Sequence, residues 1–117
     1  MTEPRPVFDR EVFERQVGGD RALALEILRM FLEDCPGRIA AIKAAVEQGD
    51  ANALCTAAHT LKGSAGYLAA AHVVDAAALL ERLGREDRLA DAPAAMDQLE
   101  GAVARLVPEI QRASLAS

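Results

Sequence analysis

Apolar residues recur at steps of three and four along four stretches of the chain, and that spacing is the period of an α-helix. The stretches cover residues 28–46, 54–68, 73–83 and 96–110. Ala and Leu dominate the apolar residues, and the aromatic residues are three Phe, one Tyr and no Trp. Strands favour β-branched and aromatic side chains, so this composition also favours helices. The sequence predicts an all-α fold, namely an antiparallel four-helix bundle with a short extra N-terminal helix.

Capping and breaking residues set the predicted helix boundaries. Aspartates at positions 9, 20 and 50 are placed to cap the first three helices. The short helix covers about residues 10–17, the third 51–67 and the fourth 71–84, with Val73 or Val74 facing inward, and the fifth begins near Asp91. Pro36 lies inside the second pattern, so we expect it to kink that helix or split it in two. Residues 8–113 are expected to form one domain, with loose termini over 1–7 and 114–117.

Charge and hydropathy exclude several classes of function. The formal net charge is -5, whereas a nucleic-acid-binding face needs basic residues. No apolar run approaches the roughly 20 residues of a membrane-spanning helix, and the N-terminus lacks the apolar segment of a signal peptide. Cys35 and Cys55 form no CxxC pair. We therefore expect a cytoplasmic protein with two free thiols, no nucleic-acid partner and no membrane partner.

His59 lies on the face of the third helix that is opposite its apolar stripe. With His59 at zero and about 100° per residue, Lys62 falls near 300°, Gly63 near 40° and Gly66 near 340°. The apolar stripe of this helix falls between about 180° and 260°. An imidazole, a cation and two glycines thus share one exposed side.

The glycines are the unusual part of this face. A glycine inside a helix costs up to about 1 kcal/mol relative to alanine, and these two stand in an alanine-rich helix. Residues that oppose local propensity tend to mark functional sites. Without side chains at Gly63 and Gly66, another protein could come close to the imidazole of His59. Taken singly, the same glycines are compatible with packing or with the end of a helix.

This set of residues suits phosphoryl transfer. A neutral imidazole nitrogen can attack a phosphoryl group, and Lys62 can meet the resulting negative charge as a mobile cation. Along the helix nothing near His59 offers a base, an oxyanion hole or a metal site. A plain surface histidine remains the alternative for His59 alone. Tyr67, near 80° on the same wheel, is either a rim of a docking surface or a rim of the core.

Two other residues are weaker candidates. His72 has no Lys or Gly at the offsets found beside His59, which favours a solvated or capping histidine. Cys55 stands four residues before His59, a spacing that could pair two metal ligands. Lys62 would repel a cation on that face, so no metal site is expected.

The run Ala58-His59-Thr60-Leu61-Lys62-Gly63-Ser64-Ala65-Gly66 resembles the signature of histidine phosphotransfer (HPt) domains. The resemblance covers about residues 8–110. It implies a four-helix bundle in which the histidine accepts phosphate, the lysine stabilises it and the glycine admits a receiver domain. Those roles correspond here to His59, Lys62 and Gly63.

Two positions depart from the family pattern. Family members often bear Gln where Glu81 falls, and Glu would be a poorer neighbour for phosphate, so no contact is assigned to Glu81. Many members also read Gly-Ala where this chain has Ala69-Ala70, which affects the turn between two helices.

The resemblance implies a phosphocarrier that takes a phosphoryl group from the aspartate of one receiver domain and passes it to another. The expected partners are response-regulator receiver domains and a hybrid sensor histidine kinase, which would supply the catalytic groups and Mg²⁺. The chain itself is expected to be a monomer without a cofactor and not an enzyme. A non-catalytic adaptor is disfavoured by the joint presence of the three motif residues. A metal-dependent bundle enzyme is disfavoured by the lack of paired Glu-x-x-His motifs.

Overall fold

The computed structural model describes residues 5–115, and within this range the secondary structure is helical, without strands. The five α-helices are α1 (Arg10–Gln16), α2 (Arg21–Gln48), α3 (Ala51–Tyr67), α4 (Ala71–Arg85) and α5 (Ala92–Leu115). A single 3₁₀ turn, Leu89–Asp91, precedes α5. The predicted all-α class is confirmed. Of the termini predicted to be loose, residues 1–4 and 116–117 lie outside the described range, and α5 extends through residue 114 to Leu115.

Local side-chain bonds explain where the first three helices begin. The carboxylates of Asp9, Asp20 and Asp50 accept hydrogen bonds from the backbone N–H groups of Val12, Leu23 and Ala53, at 3.2, 3.0 and 3.0 Å. Each bond satisfies an N–H group that has no partner inside its helix. The three predicted N-caps are therefore confirmed.

The long helices form a ring in which α2 packs on α3, α3 on α4, α4 on α5, and α5 back on α2. Two residues join α2 to α3 and three join α3 to α4, so consecutive helices reverse direction. The core contains the predicted stripes, with Leu54, Leu61, Leu80 and Leu106 fully buried. Val73 is buried and Val74 half-buried, which settles the inward-facing residue of α4.

Pro36 does not split α2, which runs unbroken from Arg21 to Gln48, so that part of the prediction was wrong. Pro36 has no N–H group to donate to the preceding turn. Buried residues on both sides of it, Phe31 and Cys35 before and Ile42 after, pack into the same core. Their burial offsets the lost hydrogen bond.

The turn after α3 contains an alanine in a conformation that favours glycine. Ala69 has φ 58°, in the left-handed region, where a Cβ atom costs roughly 1–2 kcal/mol. Ala69 N–H bonds to the carbonyl of Gly66, and Ala70 N–H to that of Ala65, both at 3.0 Å. These bonds satisfy two carbonyls at the end of α3. The departure from the family's Gly-Ala therefore falls on a strained backbone position.

Helix α1 is attached to the end of the bundle nearest this turn. Asp9 N–H donates to the carbonyl of Ala69 at 3.2 Å, and the ring of Phe13 meets that of Tyr67 edge-on with centroids 6.3 Å apart. The hydroxyl of Tyr67 donates to the carbonyl of Gln16 at 3.3 Å. Helix α1 thus covers the C-terminal end of α3.

Candidate functional site

The exposed face of α3 presents His59 as the wheel predicted. The side chain of His59 is 67% exposed, while Ala58 and Leu61 on either side of it are fully buried. Lys62 lies one turn further along and is partly covered. The structure therefore brings His59 and Lys62 to the same surface.

The two glycines differ in what surrounds them. A Cβ atom added at Gly63 would meet no heavy atom within 4 Å, so the surface there is open. A Cβ atom at Gly66 would lie 3.9 Å from a methyl group of Val74, an ordinary packing distance. Gly63 leaves bare surface beside the imidazole, whereas Gly66 faces the start of α4.

Glu81 on α4 is the residue that the sequence interpretation missed. Its carboxylate accepts a hydrogen bond from His59 Nδ1 at 2.8 Å through Oε2 and one from Lys62 Nζ at 2.6 Å through Oε1. Arg85 Nη2 also donates to Oε2, at 3.1 Å. No contact with phosphate was assigned to Glu81 from the sequence, which did not predict these bonds to His59 and Lys62, and the conclusion that no base lies near His59 was wrong. A wheel drawn for α3 alone cannot show a partner on another helix.

Close packing of α3 and α4 brings Glu81 to His59. A Cβ atom at Gly84 would lie 2.7 Å from the backbone nitrogen of Cys55 and 2.8 Å from the carbonyl oxygen of Ala51. Any other residue at position 84 would therefore push the helices apart. Glu81 lies one turn before Gly84, on the side of α4 that faces α3.

A signal for Glu81 was present in the sequence. In α4 the buried positions Val73, Ala77, Leu80 and Gly84 follow helical spacing, and Glu81 fits the same face. Among the described residues Glu81 is the one charged side chain that is buried. A charged residue on an apolar stripe indicates a partner on the neighbouring helix.

The contacts of Glu81 set its charge state. The hydrogen bond from the Lys62 ammonium holds the pKa of Glu81 below its ordinary value. Burial opposes this by raising the pKa, and the bond to His59 lowers it further. Glu81 is therefore a carboxylate at neutral pH and can act only as an acceptor.

An ionised Glu81 determines which nitrogen of His59 carries the proton. Because the carboxylate has no hydrogen to donate, His59 Nδ1 must be the donor. In a neutral imidazole the lone pair then lies on Nε2, the nitrogen turned away from Glu81. The site therefore presents the nucleophilic Nε2 of His59 to solvent.

The other sequence candidates lie outside this cluster. His72 is in the first turn of α4, where its Nε2 donates to the carbonyl of Arg5 at 3.0 Å. Both thiols are free, with Cys35 buried and Cys55 half-buried. In the described range no group of three or more His, Cys, Asp and Glu side chains is placed to hold a metal ion. Nor does any helix of residues 5–115 have the length and apolarity to cross a membrane.

Tyr67 is 39% exposed and borders a groove between α2 and α3. The groove has a volume of about 220 Å³, and Met30 and Ser64 also line it. Met30 is 47% exposed, so two large apolar side chains flank the groove.

An exposed imidazole with a lysine one turn on and a bare glycine beside it, on one helix of a four-helix bundle, is the arrangement of a histidine phosphotransfer domain. The chain belongs to this family, because the family model of the Hpt domain matches residues 26–109. It is a phosphocarrier of the kind that works in two-component phosphorelays.

Solved structures show the same fold. Histidine-containing phosphotransfer protein B (HptB) from Pseudomonas aeruginosa PAO1 is 26% identical with a TM-score of 0.89, covering 96% of this chain and 97% of that one. The HPT domain of a sensor hybrid histidine kinase from Shewanella is 18% identical with a TM-score of 0.82, covering 95% and 96%. The comparison with curated protein sequences found no significant match.

Proposed function

We propose that His59 is the phosphoryl acceptor and that its Nε2 atom is the nucleophile. The observation that carries this proposal is the bond from His59 Nδ1 to the carboxylate of Glu81, which places the lone pair of the neutral imidazole on Nε2, on a side chain that is two-thirds exposed. His72 uses its Nε2 to donate to a backbone carbonyl, so the same atom is occupied there.

The transfer step requires no proton movement at His59. The Nε2 lone pair forms the bond to phosphorus while the bond from phosphorus to the receiver's aspartyl oxygen breaks, and its electron pair leaves with the carboxylate. The proton stays on Nδ1, so the ring gains a positive charge that faces Glu81. Onward transfer reverses these events with a second aspartate. The receiver supplies the aspartate and its Mg²⁺.

Lys62 and Gly63 have separate roles in this proposal. Lys62 places an ammonium one turn from the imidazole, where it can stabilise the phosphoryl group. Gly63 leaves room for the receiver domain, because a side chain there would project into open space beside His59. Gly66 and Tyr67 lie further along α3. We assign Tyr67, with Met30, to the rim of the docking surface, and Gly66 to partner access at its edge.

We also propose a cellular location, partners and an oligomeric state for the protein. Two free thiols suit a reducing cytoplasm. The expected partners are receiver domains and a hybrid sensor histidine kinase, and the chain would act as a monomer with its His59 face uncovered.

The experiment is transfer from a panel of phosphorylated receiver domains to the wild-type protein, His59→Gln and His72→Gln. We expect wild type and His72→Gln to be labelled and His59→Gln to remain unlabelled. Full labelling of His59→Gln would overturn the assignment. A protein that binds receivers but is never labelled would instead be an adaptor.

A further inference from the structure

Lys62 already has a partner before any phosphoryl group arrives. Its ammonium lies 2.6 Å from Glu81 Oε1, and two-thirds of its side chain is covered. The same carboxylate holds His59 and Arg85 through its other oxygen. A phosphoryl group on His59 must therefore compete with Glu81 for Lys62.

Formal charges describe the competition. Glu81 carries one negative charge, and Lys62 and Arg85 carry one positive charge each. The cluster with a neutral His59 therefore has a net charge of +1. A phosphoryl dianion on a ring that keeps its Nδ1 proton makes the cluster neutral. With Gln at position 81 the cluster would begin at two positive units and end at one. Phosphorylation adds one net negative charge in both cases, so the more positive site favours it.

We propose that Glu81 is a positioning residue that lowers the stability of the phosphorylated state by competing with the phosphoryl group for Lys62. This regulation rests on the proposed role of His59. Its consequence is a carrier that gives up its phosphoryl group readily, because the cation that would retain the group is shared with a buried carboxylate.

Replacing Glu81 by Gln separates its two actions, which are to orient the His59 ring and to attract the Lys62 ammonium. Its amide oxygen can still accept the bond from His59 Nδ1, so the ring orientation is retained. Its neutral amide no longer attracts the Lys62 ammonium. Glu81→Gln should therefore leave Nε2 available and free Lys62 for the phosphoryl group. Glu109→Gln is the matched control, because Glu109 pairs with Arg112 on α5, away from this cluster.

The experiment uses phosphoramidate, which phosphorylates imidazole nitrogen without a receiver: its phosphorus–nitrogen bond breaks, ammonia leaves and the bond to Nε2 forms. Wild type and ¹⁵N-labelled Glu81→Gln react in one tube at fixed ammonium. Mass spectrometry of the His59 peptide gives the ratio of phosphohistidine to histidine for each. We expect the ratio in Glu81→Gln to exceed that of wild type by roughly three- to thirtyfold, and Glu109→Gln to match wild type. An equal or lower ratio in Glu81→Gln overturns the proposal.

A second measurement uses the wild-type protein and so does not depend on the folding of a variant. Lys43 and Lys62 are the two lysines of the chain, so ¹⁵N-lysine labelling gives two side-chain ammonium signals. We expect phosphorylation to shift the Lys62 signal and not that of Lys43. An unchanged Lys62 signal would overturn the proposal that the phosphoryl group competes with Glu81 for Lys62. In both measurements phosphoramidate phosphorylates His59 without a receiver, so failure of receiver transfer would count against the proposed function alone.

Discussion

His59 on α3 and Glu81 on α4 form a hydrogen bond of 2.8 Å between Nδ1 and Oε2, although 22 residues separate them in the chain. This bond turns a surface histidine into one with a defined proton and a defined free nitrogen. Lys62, bonded to the other oxygen of Glu81, links the charge of the site to the same carboxylate.

The first prediction concerns access at Gly63. Replacing Gly63 by Gln adds a side chain to open surface beside His59, so we expect slower transfer from a phosphorylated receiver. The bundle should remain folded and become slightly more stable, because a helical glycine has been removed. Stopped-flow transfer kinetics and thermal unfolding measure the two effects. A wild-type transfer rate in Gly63→Gln would show that Gly63 does not control access.

The second prediction concerns Lys62. Lys62→Ala removes the cation that meets the phosphoryl group, so the equilibrium fraction of phosphohistidine against one receiver should fall roughly threefold to tenfold. Lys62→Arg should retain most of the fraction, since charge matters here more than geometry. The loss in Lys62→Ala should shrink at high salt, where the ion pair is screened. A fraction equal to wild type at low salt would show that Lys62 is an ordinary surface lysine.

The third prediction concerns the stability that ionised Glu81 confers. The folded protein holds the pKa of Glu81 below its ordinary value of 4.5, so its charged form stabilises the fold above that pH. At pH 7 we expect Glu81→Gln to lower the free energy of unfolding by about 1–2 kcal/mol. The difference between wild type and variant should decline as pH falls through the folded-state pKa. Urea unfolding from pH 7 to pH 3 measures it, with Glu109→Gln as the control. A difference that does not change with pH would contradict this account.

The fourth prediction concerns the turn after α3. Ala69 has a left-handed backbone, and glycine adopts that conformation without a Cβ clash. We expect Ala69→Gly to raise the free energy of unfolding by about 0.5–1 kcal/mol, the strain relieved being partly offset by the greater freedom of glycine in the unfolded chain. Chemical denaturation measures this change. Destabilisation by Ala69→Gly would mean that the turn is not strained.

Features that depend on one helix could be predicted from the sequence. The aspartate caps act within a turn of their own helix, and the position of His59 opposite Leu61 follows from helical geometry. The same geometry placed Lys62 on the face of His59. Each of these predictions needs nothing beyond the spacing of residues along the chain.

Features that depend on packing between helices could not be predicted in the same way. Glu81 reaches His59 because Gly84 lets α3 and α4 approach closely, and that approach is a property of two helices together. Pro36 stays inside α2 because buried residues on both sides outweigh one missing hydrogen bond. In both cases tertiary contacts decide against the local expectation.

The central claim is that His59 accepts the phosphoryl group through Nε2. The most direct measurement is ¹H–¹⁵N and ³¹P NMR of the protein phosphorylated by a receiver domain, with ¹⁵N-labelled histidine. The account predicts phosphorus coupled to Nε2 of His59 while Nδ1 keeps its proton. Phosphorus on Nδ1 of His59, or on His72, would contradict it.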